Sequence, residues 1–147
     1  MEKKQLRRLP VGIQTFEKII ENDMLYIDKT EYIWNMIHSN NCVFLSRPRR
    51  FGKSLLVSTL QSYFEGKEEL FKGLFIDTVE KDWTEYPVLR FDMSMGKHMD
   101  KDQLERYLLF ILEKNESHFG LTSDATDPNV RFSNLIINVH EMTGKKV

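Results

Sequence analysis

Cysteine is almost absent from this chain of 147 residues, and long apolar runs are absent altogether. The one cysteine, Cys42, has no partner for an intramolecular disulfide, which excludes a small secreted domain built on disulfides. No apolar stretch approaches the roughly 20 residues that a membrane-spanning helix needs. The N-terminus carries charges but lacks the apolar segment of a secretory signal. These absences predict a cytoplasmic protein without a membrane span, in which Cys42 packs in the core.

Extremes of composition and charge are absent as well. The chain is 41% hydrophobic and 12% aromatic, which at this length is typical of one globular domain. A net charge of -1 excludes a strongly basic nucleic-acid-binding protein. The charge is uneven, however, because residues 1–54 carry ten Lys/Arg against six Asp/Glu, and residues 55–147 carry eleven against sixteen. The first part of the chain is therefore predicted to offer a local site for an anion.

A short basic loop joins an apolar run to an amphipathic pattern between residues 42 and 64. The run from Cys42 to Leu45 suits a buried strand, and the apolar residues after the loop recur at helical spacing. Gly52, Lys53 and Ser54 then fall where a helix begins, and there unpaired N–H groups and the helix dipole favour an anion. The order is typical of a phosphate-binding loop, whose lysine contacts the β- and γ-phosphates and whose hydroxyl binds Mg²⁺.

The loop departs from the full Walker A pattern at its first position. Arg47 stands where a glycine is expected, and Pro48 removes one backbone donor. Three guanidinium groups can offset that loss through charge-assisted hydrogen bonds. Ser54 is the candidate Mg²⁺ ligand. The alternative to a phosphate-binding loop is a solvent-exposed basic turn. The candidate nucleotide-binding residues in this region are Arg47, Arg49, Arg50, Phe51, Gly52, Lys53, Ser54 and Leu55.

Three motifs in this order resemble the AAA-ATPase-like family: LPVGIQTFEKI (residues 9–19), YIDKTEYI (residues 26–33) and SRPRRFGKSLLVSTLQSYFEG (residues 46–66). The similarity reaches the stretch from Val88 to Ser94 and fades after it. The family comprises predicted P-loop ATPases, normally with RPRRFGKS in place of a full Walker A, and longer members carry a nuclease-like domain towards the C-terminus. The resemblance therefore implies ATP rather than GTP as the nucleotide, with Mg²⁺, and nucleic acid as a partner of a downstream domain.

Asp28 has two interpretations that the sequence leaves open. The family's equivalent of residues 26–30 precedes the P-loop strand and is thought to lie near the nucleotide, so the resemblance implies a ligand contact for Asp28. The residues themselves equally favour a helix N-cap, because Glu31 follows three positions later and would complete a capping box.

A second apolar run, from Val88 to Asp92, predicts another strand. It ends in an aspartate, as a Walker B strand does, but Arg90 interrupts the run, and the strand after the P-loop helix is usually not the Walker B strand. We therefore interpret Asp92 as a strand-end or turn residue, with nucleotide sensing or metal coordination as the open alternative. The predicted fold is α/β and P-loop NTPase-like, with a partial parallel sheet flanked by helices. We expect residues 1–147 to be a single incomplete domain, the N-terminal part of a larger AAA-like domain.

The last third of the chain predicts two helices with clear ends. Asp100 and Gln103 form a capping-box pattern at the start of the first helix. Pro128 suits the first position of the second helix and Gly144 its end. The inward-facing residues of the second helix are predicted to be Leu135, Ile136, Val139 and Met142.

Two classes of function follow from these patterns. The favoured one is an ATP-binding P-loop module with Mg²⁺, in which no catalytic residue is assigned. Hydrolysis needs an acid that the sequence does not identify, so ATPase activity is expected only in a longer chain that supplies it. The alternative is a non-catalytic module whose basic loop binds nucleic-acid phosphates or an acidic protein surface.

Overall fold

The computed structural model describes residues 6–39, 42–94 and 100–147, which are largely helical. The chain divides into two compact units, the first ending at Glu85 and the second running from Tyr86 to Val147. None of the helices in the described ranges has the length and apolar content needed to cross a bilayer. The helices are α1 (Phe16–Glu21), α2 (Thr30–Ser39), α3 (Lys53–Phe64), a 3₁₀ helix (Glu68–Phe71), α4 (Phe75–Val79), α5 (Lys101–His118) and α6 (Pro128–Thr143).

The predicted α/β fold with a partial parallel sheet is wrong. The described residues form no sheet, and a single parallel bridge between Arg8 and Met24 is the only strand-like pairing among them. The predicted strand from Cys42 to Leu45 is exposed along its length, and Phe44 retains 91% of its accessible surface. Cys42 is exposed too, so its predicted place in the core is also wrong. Apolar residues alone do not make a strand, because a strand needs a neighbour for its N–H and C=O groups.

The second predicted strand, from Val88 to Asp92, is not formed either, and this segment is hydrogen-bonded to a helix side chain. The Asn115 amide oxygen accepts a hydrogen bond from the Arg90 N–H (3.2 Å), and the amide nitrogen donates to the Arg90 carbonyl (3.2 Å). Leu89 and Phe91 alternate with Arg90 and pack on the core of the second unit. The amide of Asn115 thus pairs with the backbone as a facing strand would in a sheet.

The second unit is built on the packing of α5 against α6, around a core of Leu112, Leu135 and Val139. An ion pair reinforces this packing. The Glu116 side chain is almost completely buried and accepts hydrogen bonds from Arg131 Nε (2.9 Å) and Nη2 (2.6 Å). Hydrogen bonding to Glu116 is the main cause that raises the pKa of Arg131. Both charges are thereby paired in a bidentate geometry.

The helix ends of this unit confirm the sequence predictions. Asp100 and Gln103 form a capping box on α5, Pro128 is the first residue of α6, and Gly144 ends α6 in a left-handed conformation. The predicted inward face of α6 is only half right. Leu135 and Val139 are buried, whereas Ile136 and Met142 are 36% and 53% exposed.

The first unit surrounds an aromatic core. Phe16 lies 5.1 Å from the ring of Tyr26 and 4.8 Å from that of Phe71, measured between ring centroids. Helix α3 packs against α1 and presents unusual residues to this core, because its three buried side chains are Ser58, Thr59 and Ser62. Small hydroxyl side chains allow a close approach and can accept hydrogen bonds from the neighbouring segment.

Asp28 links the starts of α2 and α4. Its Oδ1 accepts hydrogen bonds from the Thr30 N–H (2.8 Å) and hydroxyl (2.7 Å), and its Oδ2 accepts one from the Phe75 N–H (2.7 Å). The Thr30 hydroxyl in turn accepts from the Ile76 N–H (3.1 Å). Because α2 begins at Thr30, Asp28 lies two residues before the helix and not at the N-cap position of a capping box. It nevertheless supplies acceptors to the first N–H groups of two helices.

The ionisation of Asp28 follows from these contacts. Burial of the carboxyl opposes its charge, but the hydrogen bonds from Thr30 and Phe75 outweigh burial and hold the pKa below its ordinary value of 3.8. The charged form is therefore the one that stabilises the fold.

We expect Asp28→Ala to lower the free energy of unfolding at pH 7 by about 1–2 kcal/mol, because two helix starts lose their acceptor. A carboxyl group whose pKa is lower in the folded state than in the unfolded state stabilises the fold at pH values above its unfolded pKa. That contribution is lost as the pH falls through the folded pKa. The difference between wild type and Asp28→Ala should therefore shrink below pH 3.8. Urea unfolding across the pH range measures this difference. Glu69→Ala, at an exposed position of the same unit, is the control, and a difference independent of pH would contradict the assignment.

Arg131→Met should destabilise the protein by about 3 kcal/mol, because Glu116 would remain buried without its partner. The exposed Arg106 of α5 provides a matched control, and Arg106→Met should change stability by less than about 0.5 kcal/mol. Urea denaturation followed by circular dichroism compares the two variants. Equal stability of the two would show that the ion pair is dispensable.

Candidate functional site

The candidate site consists of residues 46–52 and the first turn of α3. Gly52 is the N-cap residue of α3 and has a left-handed backbone, with φ 77° and ψ 16°. A Cβ built on Gly52 would meet nothing within 4 Å, so the backbone angle and not the space requires glycine here. Arg50 also has a positive φ of 68°. The loop therefore turns sharply twice just before the helix begins.

Lys53 folds back over the loop. Its Nζ donates to the carbonyl of Pro48 at 3.0 Å and to the carbonyl of Arg47. These contacts join the first residue of α3 to the part of the loop that precedes the turn. The ammonium group consequently lies within the loop, close to the helix N-terminus, where the lysine of a phosphate-binding loop is needed.

The first turn of α3 has no cap. Gly52 offers no side-chain hydrogen bond, and within the described part of the chain the N–H groups of Lys53, Ser54 and Leu55 have no acceptor. In the described ranges every other α-helix receives a side-chain acceptor at its start, namely Ser58 for α1, Asp28 for α2, Asp28 with Thr30 for α4, Asp100 for α5 and Asp127 for α6. Unpaired N–H groups at the positive end of a helix dipole are suited to an anion.

Exposed cations surround this turn. Arg47, Arg49 and Arg50 are exposed, and no carboxylate among the described residues forms an ion pair with them. Phe51 and Ser54 are exposed as well, whereas the side chain of Leu55 packs on the core of the first unit. Leu55 can therefore contribute its backbone N–H to the loop, but not its side chain.

The two candidate aspartates have other partners. Asp28 accepts its hydrogen bonds from Thr30 and Phe75, which supports its structural interpretation. Asp92 accepts a hydrogen bond from the Ser94 N–H (2.9 Å), and hydrogen bonding to Ser94 is the main cause that lowers its pKa. No group of three or more His, Cys, Asp and Glu side chains able to hold a metal ion occurs in the described ranges.

Ser58 is a residue that the sequence patterns did not single out. Its Oγ accepts a hydrogen bond from the Phe16 N–H at 3.0 Å, in the interior of the first unit. The available signal was the pattern of hydroxyl residues at positions 58, 59 and 62 among the apolar residues of this helix. Such a pattern favours close helix packing but does not reveal the partner.

Comparisons with known proteins agree with the three sequence motifs. The family model described as Predicted AAA-ATPase matches residues 10–147, well past the point at which the motifs fade. An uncharacterized protein in the vnfD 5′ region of Azotobacter chroococcum mcd 1 is 41% identical over 143 residues, which are 96% of this chain and 28% of that protein. The chain thus spans little more than a quarter of that curated relative. No solved structure matches this chain. The extent of the family match shows that the chain belongs to the AAA-ATPase-like family, whose members are predicted AAA-ATPases.

Proposed function

We propose that the loop of residues 46–52 and the first turn of α3 bind the phosphates of ATP together with Mg²⁺. The observation that carries the proposal is the uncapped start of α3, with three unpaired N–H groups beside the ammonium of Lys53. Membership of a family of predicted AAA-ATPases supports ATP as the nucleotide.

Each residue of the loop has a distinct task in this proposal. The N–H groups of Lys53, Ser54 and Leu55 donate to phosphate oxygens, and Lys53 Nζ exchanges its carbonyl acceptors for the β- and γ-phosphates. Gly52 permits the backbone turn that aims these N–H groups outward. The three exposed arginines neutralise the remaining charge, since guanidinium groups bind phosphate oxygens in pairs.

The residues present are compatible with Mg²⁺. This ion retains several waters and usually takes one or two protein oxygens in addition to the phosphates of the nucleotide. The Ser54 hydroxyl is exposed and directly follows Lys53, so it can supply one oxygen beside the bound phosphates. A dedicated cluster of carboxylates is not needed for this mode of binding.

Hydrolysis makes a further demand, which is a carboxylate that completes the Mg²⁺ shell or orients the attacking water. Asp28 bonds to Thr30 and Phe75, and Asp92 bonds to Ser94. Both aspartates already accept hydrogen bonds from the backbone, so we do not assign the catalytic carboxylate to either. The activity proposed for the loop is therefore nucleotide binding. Turnover would depend on an acid other than these two.

A second candidate function is favoured by one observation. Phe51 is 62% exposed and lies between Arg50 and the helix start, and an aromatic ring beside guanidinium groups is suited to single-stranded nucleic acid. With this second function, the loop binds the phosphates of a nucleic-acid backbone, and binding requires neither a free nucleotide nor Mg²⁺.

Lys53→Ala should weaken ATP binding by about 10- to 100-fold, because a charge-assisted hydrogen bond to phosphate is lost. Isothermal titration of the purified chain with ATP and Mg²⁺ measures the affinity, and circular dichroism establishes that the variant is folded. Lys72→Ala, an exposed lysine of the same unit, is the matched control and should bind as the wild type does. Unchanged affinity in Lys53→Ala would refute the assignment of the loop.

Ser54→Ala should abolish most of the gain in ATP affinity that Mg²⁺ produces, while binding measured in excess chelator stays near the wild-type value. The reason is that the hydroxyl contacts the ion and not the phosphate. Titrations with and without Mg²⁺ give this comparison directly. If a single-stranded oligonucleotide binds better than ATP, with an affinity that falls steeply with salt and is indifferent to Ser54→Ala, the nucleic-acid function replaces the proposed one.

A further inference from the structure

The first family motif meets α3 through a buried hydroxyl group. This motif contains Phe16, whose N–H donates to Ser58 Oγ at 3.0 Å. The second motif contains Tyr26, whose ring lies 5.1 Å from that of Phe16, measured between centroids. The third motif contains α3 itself. The hydrogen bond at Ser58 therefore connects two motifs that lie far apart in the sequence.

The contact at Ser58 is enclosed and satisfies a helix terminus. Phe16 is the first residue of α1, and its N–H is one of the groups that a helix leaves unpaired. Both Phe16 and Ser58 are buried, so water cannot replace the hydroxyl as acceptor. Loss of the hydroxyl would leave a buried donor without a partner.

Directional bonds constrain a helix more than apolar contacts do. A helix that packs only through apolar side chains can shift along its axis and exchange one set of contacts for another. The bond from the Phe16 N–H to Ser58 fixes one point of α3 against the start of α1. It opposes both rotation and translation of the helix at that point. Lys53 lies five residues before Ser58 on the same helix, about 7.5 Å along its axis.

We infer that Ser58 is a positioning residue for the nucleotide site, which holds α3 in the register that aims the N–H groups of Lys53, Ser54 and Leu55 at the phosphates. This inference rests on the proposed function of the loop. Ser58 is not placed in contact with the nucleotide and acts through the helix that carries the binding groups. The first family motif thereby positions the third.

Ser58→Ala should weaken ATP binding about fivefold, which corresponds to roughly 1 kcal/mol, because a smaller fraction of molecules holds α3 in the binding register. Ser62→Ala is the matched control, since it removes a buried hydroxyl from the same helix without breaking a bond to another segment. The experiment measures ATP affinity by isothermal titration and melting temperature by circular dichroism for both variants. Ser58→Thr, which keeps the hydroxyl, should restore most of the affinity.

The outcomes separate the inference from the proposed function. Absence of ATP binding by the folded wild-type chain would overturn the proposed function and the inference with it. Wild-type binding with equal affinities for Ser58→Ala and Ser62→Ala would overturn the inference alone. A selective loss in Ser58→Ala that Ser58→Thr restores, with every variant folded at the temperature of the titration, would establish it. If Ser58→Ala does not fold, Ser58→Cys decides, because its sulfur is a weaker acceptor than the hydroxyl oxygen, and an unchanged affinity in this folded variant would overturn the inference.

Discussion

The need of backbone N–H and C=O groups for partners determines how the helix starts of this protein are tied to the rest of the chain. Within the described ranges, side chains supply acceptors to the starts of five α-helices, and Asn115 pairs with both backbone groups of Arg90. Helix α3 is the exception, because its first turn has unpaired donors next to a lysine and three arginines. Under the proposed function, this open helix start is the one that receives the phosphates of the ligand.

The parts of the fold that depend on neighbouring residues could be predicted from the sequence. The capping box of Asp100 and Gln103 and the terminal Gly144 need only contacts within a turn, and both predictions are confirmed. Strands are different because their partners are remote in sequence. The apolar runs beginning at Cys42 and Val88 gave no information on whether a facing strand exists, and the sheet they implied is not formed.

The candidate site likewise contains residues that a local sequence pattern identifies and residues whose partners are remote in sequence. Lys53 and Ser54 are recognisable because their motif is contiguous, and the structure places both at the helix start. The partners of Asp28 include Phe75, 47 residues later, and the partner of Ser58 is Phe16, 42 residues earlier. No local pattern could have resolved the two interpretations of Asp28 or identified Ser58, whose role appears only when the chain is folded.

The hydrogen bonds of Lys53 to its own loop have a consequence for ligand selection. Under the proposed function, an anion that accepts all three protons of this ammonium must replace two carbonyl oxygens, at Arg47 and Pro48, that already accept two of them. A singly charged anion such as chloride or acetate gains little from that exchange. A triphosphate gains more, because several negative oxygens meet the ammonium, the guanidinium groups and the helix N–H groups together. Under the proposed function, the two loop carbonyls therefore compete with the ligand for Lys53 and favour ligands of high negative charge.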